Sequence, residues 1–336
     1  MKNTEKLALI DGLRGVAFSI VLILHGIALC LDGSIVYLQG TPKYGVWLFF
    51  VLSSFLLTKN YVINNKSKCE YFINRVFRIL PLYIVSIIVY SIFGIITPST
   101  YDYALSMIGL YGPIHLWTIP VEFSFYFILL FIWFIPENKV KHFVMATIAT
   151  VSAICLLFID KYGSSTNVIW YMPSFACGYF LAIIYPRLEA CEINGLIPVV
   201  IILGLLLISP GSMQLFWGVI PSPYLVNMYF PLSLAMALFI LSILNTSSTL
   251  IQRMFSSSLL TKLGAISYSG YLIHWLIMIL FRGSLGSGWL TVLISIVVSV
   301  IIAVICHKYI EMPIYDRRKI ILNFINTKYN KISRMF

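Results

Sequence analysis

The chain has 336 residues, of which 60% are hydrophobic and only 10% charged, against roughly 45 to 50% apolar in an ordinary soluble protein. At about 20 apolar residues per crossing, that composition accommodates about ten membrane-spanning helices and excludes a soluble domain of any size. The six cysteines show no C-x-x-C spacing, which excludes a disulfide scaffold and argues against a zinc site. The net charge of +11 implies no nucleic-acid partner, because the basic residues mark topology and form no patch.

Apolar runs of helical length, bounded by polar, Pro or Gly clusters, predict spans at 8–30, 45–63, 77–97, 116–135, 143–160, 167–185, 194–209, 228–245, 266–282 and 288–308. The expected fold is an all-α polytopic membrane protein. With residue 1 in the cytoplasm, 20 of the 23 Lys and Arg fall on the inner side, and Lys43, Lys161 and Arg282 fall outside. Both termini are then cytoplasmic, and the basic tail meets anionic membrane lipid.

Lys2 and Lys6 before an apolar run resemble a signal peptide, but Asp11 and Arg14 interrupt the core and no small-x-small cleavage site follows, so the first helix is read as retained. With no linker, composition shift or repeat, residues 1–315 are expected to form one membrane domain, and residues 316–336 a basic cytoplasmic tail. The segment 210–227, broken by Pro210, Gly211, Pro221 and Pro223, reads as an outer loop dipping into the interface, where Trp217 and Tyr224 are suited.

Ionisable residues inside spans carry the functional signal, since each costs roughly 2.5 to 3.5 kcal/mol on insertion scales. Arg14 and His25 lie eleven residues apart on the first helix, about 16 Å and close to three turns, and so share a face that must look into the bundle. Arg14 has a bland reading, a pair with Asp11 at i, i+3. His25 and Glu122 fall in the same outward leaflet, which favours a functional pair. His274 shares a face with Ser267 and Tyr271, either as a polar helix contact or as a cavity wall. His142 and His307 are at inner edges and read as structural, while His115 is left open. Arg75 and Arg78, in NRVFRILPLY, are either positive-inside residues or two cationic forks for a phosphate-bearing ligand. Pro81 nearby is expected to bend the helix beside a cavity.

Six ordered strings, LALIDGLRGVAFSIVLILHG, WLFFVLSSFLLT, NRVFRILPLY, HLWTIPVEFSFYFILL, SYSGYLIHW and YIEMPIYDRRK, resemble the membrane-bound acyltransferase family 3 over nearly the whole chain. The most specific are the basic residue, ten residues, then His of Arg14 and His25, and the block of Leu116, Trp117, Glu122 and Tyr126. The resemblance implies transfer of an acyl group, commonly acetyl from cytoplasmic acetyl-coenzyme A, to a hydroxyl of a glycan or lipid-linked glycan, in a bacterial cytoplasmic (inner) membrane. It implies His25 as the catalytic histidine with Glu122 as its partner, and Arg14, Arg75 and Arg78 as donor ligands. Trp117, Tyr126, Tyr271 and His274 are expected to wall the substrate cavity. No metal is implied.

A hydroxyl is a poor nucleophile at neutral pH, so a positioned histidine suits as general base; an acyl group carried transiently by His25 is the other route. Departures from the family pattern are Ser54 where Gly is usual, Asn74 at the first basic position of the arginine cluster, and Trp275 and Leu276 after His274 where Pro is usual. Glu311 in EMP reads as a helix end. Lacking a fused soluble domain, the chain resembles stand-alone members that decorate O-antigen or capsule. A different class, a proton-coupled transporter or flippase using His25 and Glu122 as a relay, lacks the paired broken helices of inverted repeats. Tyr101, Tyr103, Tyr111, Trp217 and Tyr224 are candidates to stack on sugars or to anchor the interface.

Overall fold

The computed structural model describes residues 3–33, 38, 40–64, 67–158, 166–218 and 229–332, which are helical with short connections. The long helices are α1 (Asn3–Cys30), α2 (Lys43–Leu57, extended by a π-helical segment Thr58–Ile63) and α3 (Lys68–Ile92). A short α4 (Thr100–Met107) precedes α5 (Thr118–Phe134), α6 (Asn138–Phe158) and α7 (Met172–Leu188). Then come α8 (Leu196–Leu207), α9 (Pro210–Trp217), α10 (Tyr229–Leu244), α11 (Thr249–Phe255) and α12 (Ser258–Leu285). The chain ends with α13 (Trp289–Cys306), a π-helical segment His307–Glu311, α14 (Met312–Asp316) and α15 (Arg318–Ile332).

Each of the ten expected spans coincides with a helix, and seven helical stretches are long and apolar enough to cross a membrane. The eighth candidate is the pair α8 and α9, which meet at a 66° bend. Residues 210–217, expected as loop, are therefore helical: Ser209 caps α9 by accepting from the Ser212 amide, and Pro210 occupies its first turn, where a missing N–H costs nothing. Trp217 is exposed at its end; Tyr224, like Lys161, lies outside the described residues. α3 starts at Lys68, nine residues before the expected position, because Ser67 caps it. Arg75 and Arg78 consequently sit well inside the helix.

The polarity of the bundle is that of a multi-pass membrane protein. Leu196, Val200 and Leu203 on α8 and Leu290, Leu293, Val297 and Ile301 on α13 are exposed, whereas Ser54, Ser174, Ser233, His274, Ser295 and Glu311 are buried. A bundle facing lipid can be apolar on its outside, and polar residues are then driven inward to find partners.

Helices α1, α2, α12 and α13 form the core into which α7 and α10 pack. The tightest contact is between α1 and α12. A Cβ on Gly264 would overlap the Asp11 carbonyl oxygen, one on Gly15 the Leu260 carbonyl, and one on Gly270 the Phe18 ring. These glycines let two backbones touch, the packing that replaces hydrophobic driving force inside a membrane. The far end of the pair is held by Arg282 bonding Asp32 and by the Gly288 amide on the Cys30 carbonyl at 3.0 Å. The same logic explains Ser54. Its hydroxyl donates to the Phe175 carbonyl at 2.5 Å, and the glycine needed for the α2–α7 approach is supplied from the other side by Gly178.

Gly264→Ala is expected to destabilise the detergent-solubilised protein by about 1 to 3 kcal/mol, the cost of overpacking, seen as a lower thermal midpoint. Gly204, whose Cβ would meet nothing within 4 Å, should accept alanine without that loss.

Candidate active site

Two polar constellations lie inside the bundle, joined through Tyr271. The first is a ring cluster. Close packing of α1 on α12 brings His25 Nδ1 to 2.9 Å from His274 Nε2, with the two rings 11° from parallel and their centres 5.2 Å apart, edge to edge as an in-plane hydrogen bond requires. The Trp275 indole stands edge-on to His25 and stacks on His115, whose ring is also edge-on to His274. Trp275, in the place of the usual proline, thus fills the gap between two imidazoles.

The hydrogen bonds of the cluster determine its tautomers. His274 Nδ1 faces two carbonyl oxygens, Tyr271 at 2.8 Å and Gly270 at 3.2 Å, so Nδ1 carries the proton and Nε2 accepts. His25 Nδ1 must then donate to it, which leaves His25 Nε2 as a lone pair with no hydrogen bond to the described residues. His274 is wholly buried, while His25 is only partly so. The arrangement can therefore accept a proton at His25 Nε2.

The second constellation is a cavity of about 360 Å³ walled by Arg14, Arg75, Arg78, Glu122, Tyr126 and Tyr271, among others. Arg14 donates to Ser267 on α12 at 3.3 Å and pairs only loosely with Asp11, at 3.8 Å. Arg75 lies 5.8 Å from the centre of the Tyr126 ring, and its Nε is buried without a hydrogen bond among the described residues. Arg78 forms an ion pair with Glu311 at 2.6 Å. Three guanidiniums converging on one cavity, one of them with an unused donor, fit a phosphate-bearing ligand.

The expected pairing of His25 with Glu122 is not formed. Glu122 Oε1 instead accepts from Ser53 at 2.7 Å and from Tyr126 at 2.6 Å, i, i+4 on the same helix. The partner of His25 is His274, so the carboxylate belongs to the arginine cavity and the imidazole to the ring cluster. Trp117, expected to wall the cavity, is buried against Tyr171 at 4.9 Å and acts in packing. Tyr126 and Tyr271 do line the cavity. Tyr271 links the two regions: its hydroxyl donates to the His115 carbonyl and accepts from Thr118, while its own carbonyl holds His274. The turn at His115 follows Ile114, which has a positive φ of 53°, a strained position for a β-branched residue.

Glu311 is the residue that sequence reasoning missed. Instead of merely ending a helix, it is 3% exposed and joins Arg78, His307 at 3.0 Å and Ser269 at 2.5 Å. The π-helical segment His307–Glu311 places it there, and such segments recur at functional positions. An acidic residue at the end of a long apolar run, beside His307 and Lys308, was the available signal. His307, read as structural, is the neighbour that holds it. His142 bonds Tyr179 at 2.9 Å, away from both constellations.

Residues 7–308 match the acyltransferase domain of the acyltransferase 3 family. Among curated proteins, those named "Putative O-acetyltransferase" in Staphylococcus aureus strains COL, MSSA476 and MRSA252 are each 23% identical over 361 aligned positions, covering 90% of this chain and 56% of theirs. The chain thus spans a little over half the length of these relatives. No solved structure matches. With a family match over nine-tenths of its length, the chain belongs to the acyltransferase 3 family.

Proposed function

We propose that the protein moves an acyl group, acetyl in the simplest case, from cytoplasmic acyl-coenzyme A to a hydroxyl of a cell-surface or lipid-linked glycan. The observation that carries this reading is the bare Nε2 of His25, fixed by the relay through His274, set beyond a cavity of arginines. The family match and the O-acetyl transfer named for its relatives support it. The inward bias of the basic residues supports placing Arg14, Arg75 and Arg78 at the cytoplasmic end.

In this reading the arginines bind the phosphates of the donor. His25 is about 16 Å along α1 from Arg14, a separation suited to a long, thin thioester. His25 Nε2 takes the proton of the acceptor hydroxyl while its oxygen attacks the thioester carbonyl, and returns that proton to the departing thiolate. The acyl–oxygen bond forms, the acyl–sulfur bond breaks, and the protein ends as it began. His274 is a positioning residue that keeps the His25 proton on Nδ1. Glu122 holds Tyr126 and Ser53 and offsets the charge of the arginines; it is not the partner of the base.

The test is acyl transfer from labelled acetyl-coenzyme A to surface glycans in membranes carrying equal amounts of each variant. Wild type should label, and His25→Ala should lose about a thousandfold or more, the upper range for a general base. Equal labelling by both, with loss of glycan export in the variant, would replace the enzyme with a transporter. His274→Phe should lower kcat about a hundredfold with little change in donor KM, since it removes the acceptor of the His25 proton. A KM effect without a kcat effect would assign His274 to donor binding instead.

A further inference from the structure

The basic tail contains one arginine that behaves unlike its neighbours. Arg317 and Lys319 are exposed, whereas the Arg318 side chain retains only 17% exposure. Its Nε donates to the buried Asn74 side chain on α3 at 2.9 Å, and its Nη1 donates to the Tyr315 carbonyl at 2.8 Å. The guanidinium lies 3.4 Å from the centre of the Tyr315 ring, a close cation–π stack.

Each of these partners belongs to, or touches, the wall of the arginine cavity. Tyr315 lines it, and its ring also has the Arg78 guanidinium at 5.9 Å. Asn74 donates in turn to Tyr61, another wall residue, at 3.0 Å. Arg318 therefore stands behind the cavity wall, against the same Tyr315 ring that Arg78 approaches. The planar fork is held at Nε and Nη1, which fixes its orientation, and Nη2 has no hydrogen bond to the described residues. Glu311 neutralises Arg78, while among the described residues the only carboxylate on Arg318 is the half-exposed Asp316 at 3.5 Å, which Lys319 shares at 2.9 Å.

An arginine so oriented, stacked on a wall residue of a cationic cavity, has the chemistry of a nucleotide-phosphate contact. We propose that Arg318, from the tail helix, is a donor-binding residue that contacts a phosphate of the nucleotide portion of acyl-coenzyme A beside the cavity. This rests on the donor reading given above. The tail is then part of the binding site.

The experiment compares wild type and Arg318→Ala, full-length in detergent or liposomes, with two donors: acetyl-coenzyme A, and acetyl-pantetheine, which lacks the nucleotide and its phosphates. Binding of free coenzyme A is measured in parallel. The expected result is an increase of about tenfold in KM for acetyl-coenzyme A and in Kd for coenzyme A, with acetyl-pantetheine used equally by both proteins. Arg318→Lys should recover part of the affinity. Equal impairment with both donors would mean that Arg318 only pins the tail to α3, and unchanged Kd would mean that it contacts no phosphate; either overturns the proposal. If wild type binds coenzyme A but transfers nothing, the transferase reading fails while the Kd ratio still decides the role of Arg318. If wild type binds no coenzyme A, both fall.

Discussion

The contact on which the site depends is the glycine-mediated approach of α1 to α12. Gly15, Gly264 and Gly270 remove the side chains that would separate the two backbones, and only at that separation does His25 Nδ1 reach His274 Nε2 at 2.9 Å. Apolar burial drives little association within a membrane, so close van der Waals packing and internal hydrogen bonds must hold such a pair. Here the two are combined: Arg14 bonds Ser267 and Arg282 bonds Asp32 across the same interface. Packing, in this protein, determines the tautomer of a histidine.

The polar interior divides its labour by charge. Arg14, Arg75 and Arg78 would repel one another and resist burial, and two carboxylates make their convergence tolerable, Glu311 by direct pairing and Glu122 from the cavity wall. Removing one partner of such a buried pair typically costs about 3 to 5 kcal/mol, because a charge is left uncompensated. The ring cluster, by contrast, contains among the described residues no carboxylate hydrogen-bonded to His25, and its order comes from a backbone carbonyl relayed through a second imidazole. A base held by neutral groups keeps a neutral resting state in a low-dielectric interior.

Helices were legible in the sequence wherever apolar length and flanking polar residues agreed, as for α1, α2, α5 and α12. The limits of α3 were not, because the apolar run begins only near residue 77, whereas the Ser67 cap starts the helix at Lys68. Residues 210–217 read as loop from their prolines, although Pro210 in a first turn favours a helix. In the site, the shared face of Arg14 and His25 followed from helical periodicity alone. The partner of His25 did not, since Glu122 and His274 lie on other helices and only interhelical packing chooses between them. Glu311 and Arg318 escaped for the same reason. Each lies in a stretch whose local pattern is that of a helix end or a basic tail, and its role arises from contacts with α3.

The central claim is that His25 is held with its proton on Nδ1 and its lone pair on Nε2. Nitrogen-15 solid-state NMR of the histidine-labelled protein in lipid, with His25→Ala used to assign the signal, tests it directly at neutral pH. The account predicts a neutral His25 protonated at Nδ1, hydrogen-bonded to a non-protonated nitrogen of His274, and a non-protonated Nε2. A His25 protonated at Nε2 instead, or no coupling between the two rings, would contradict it.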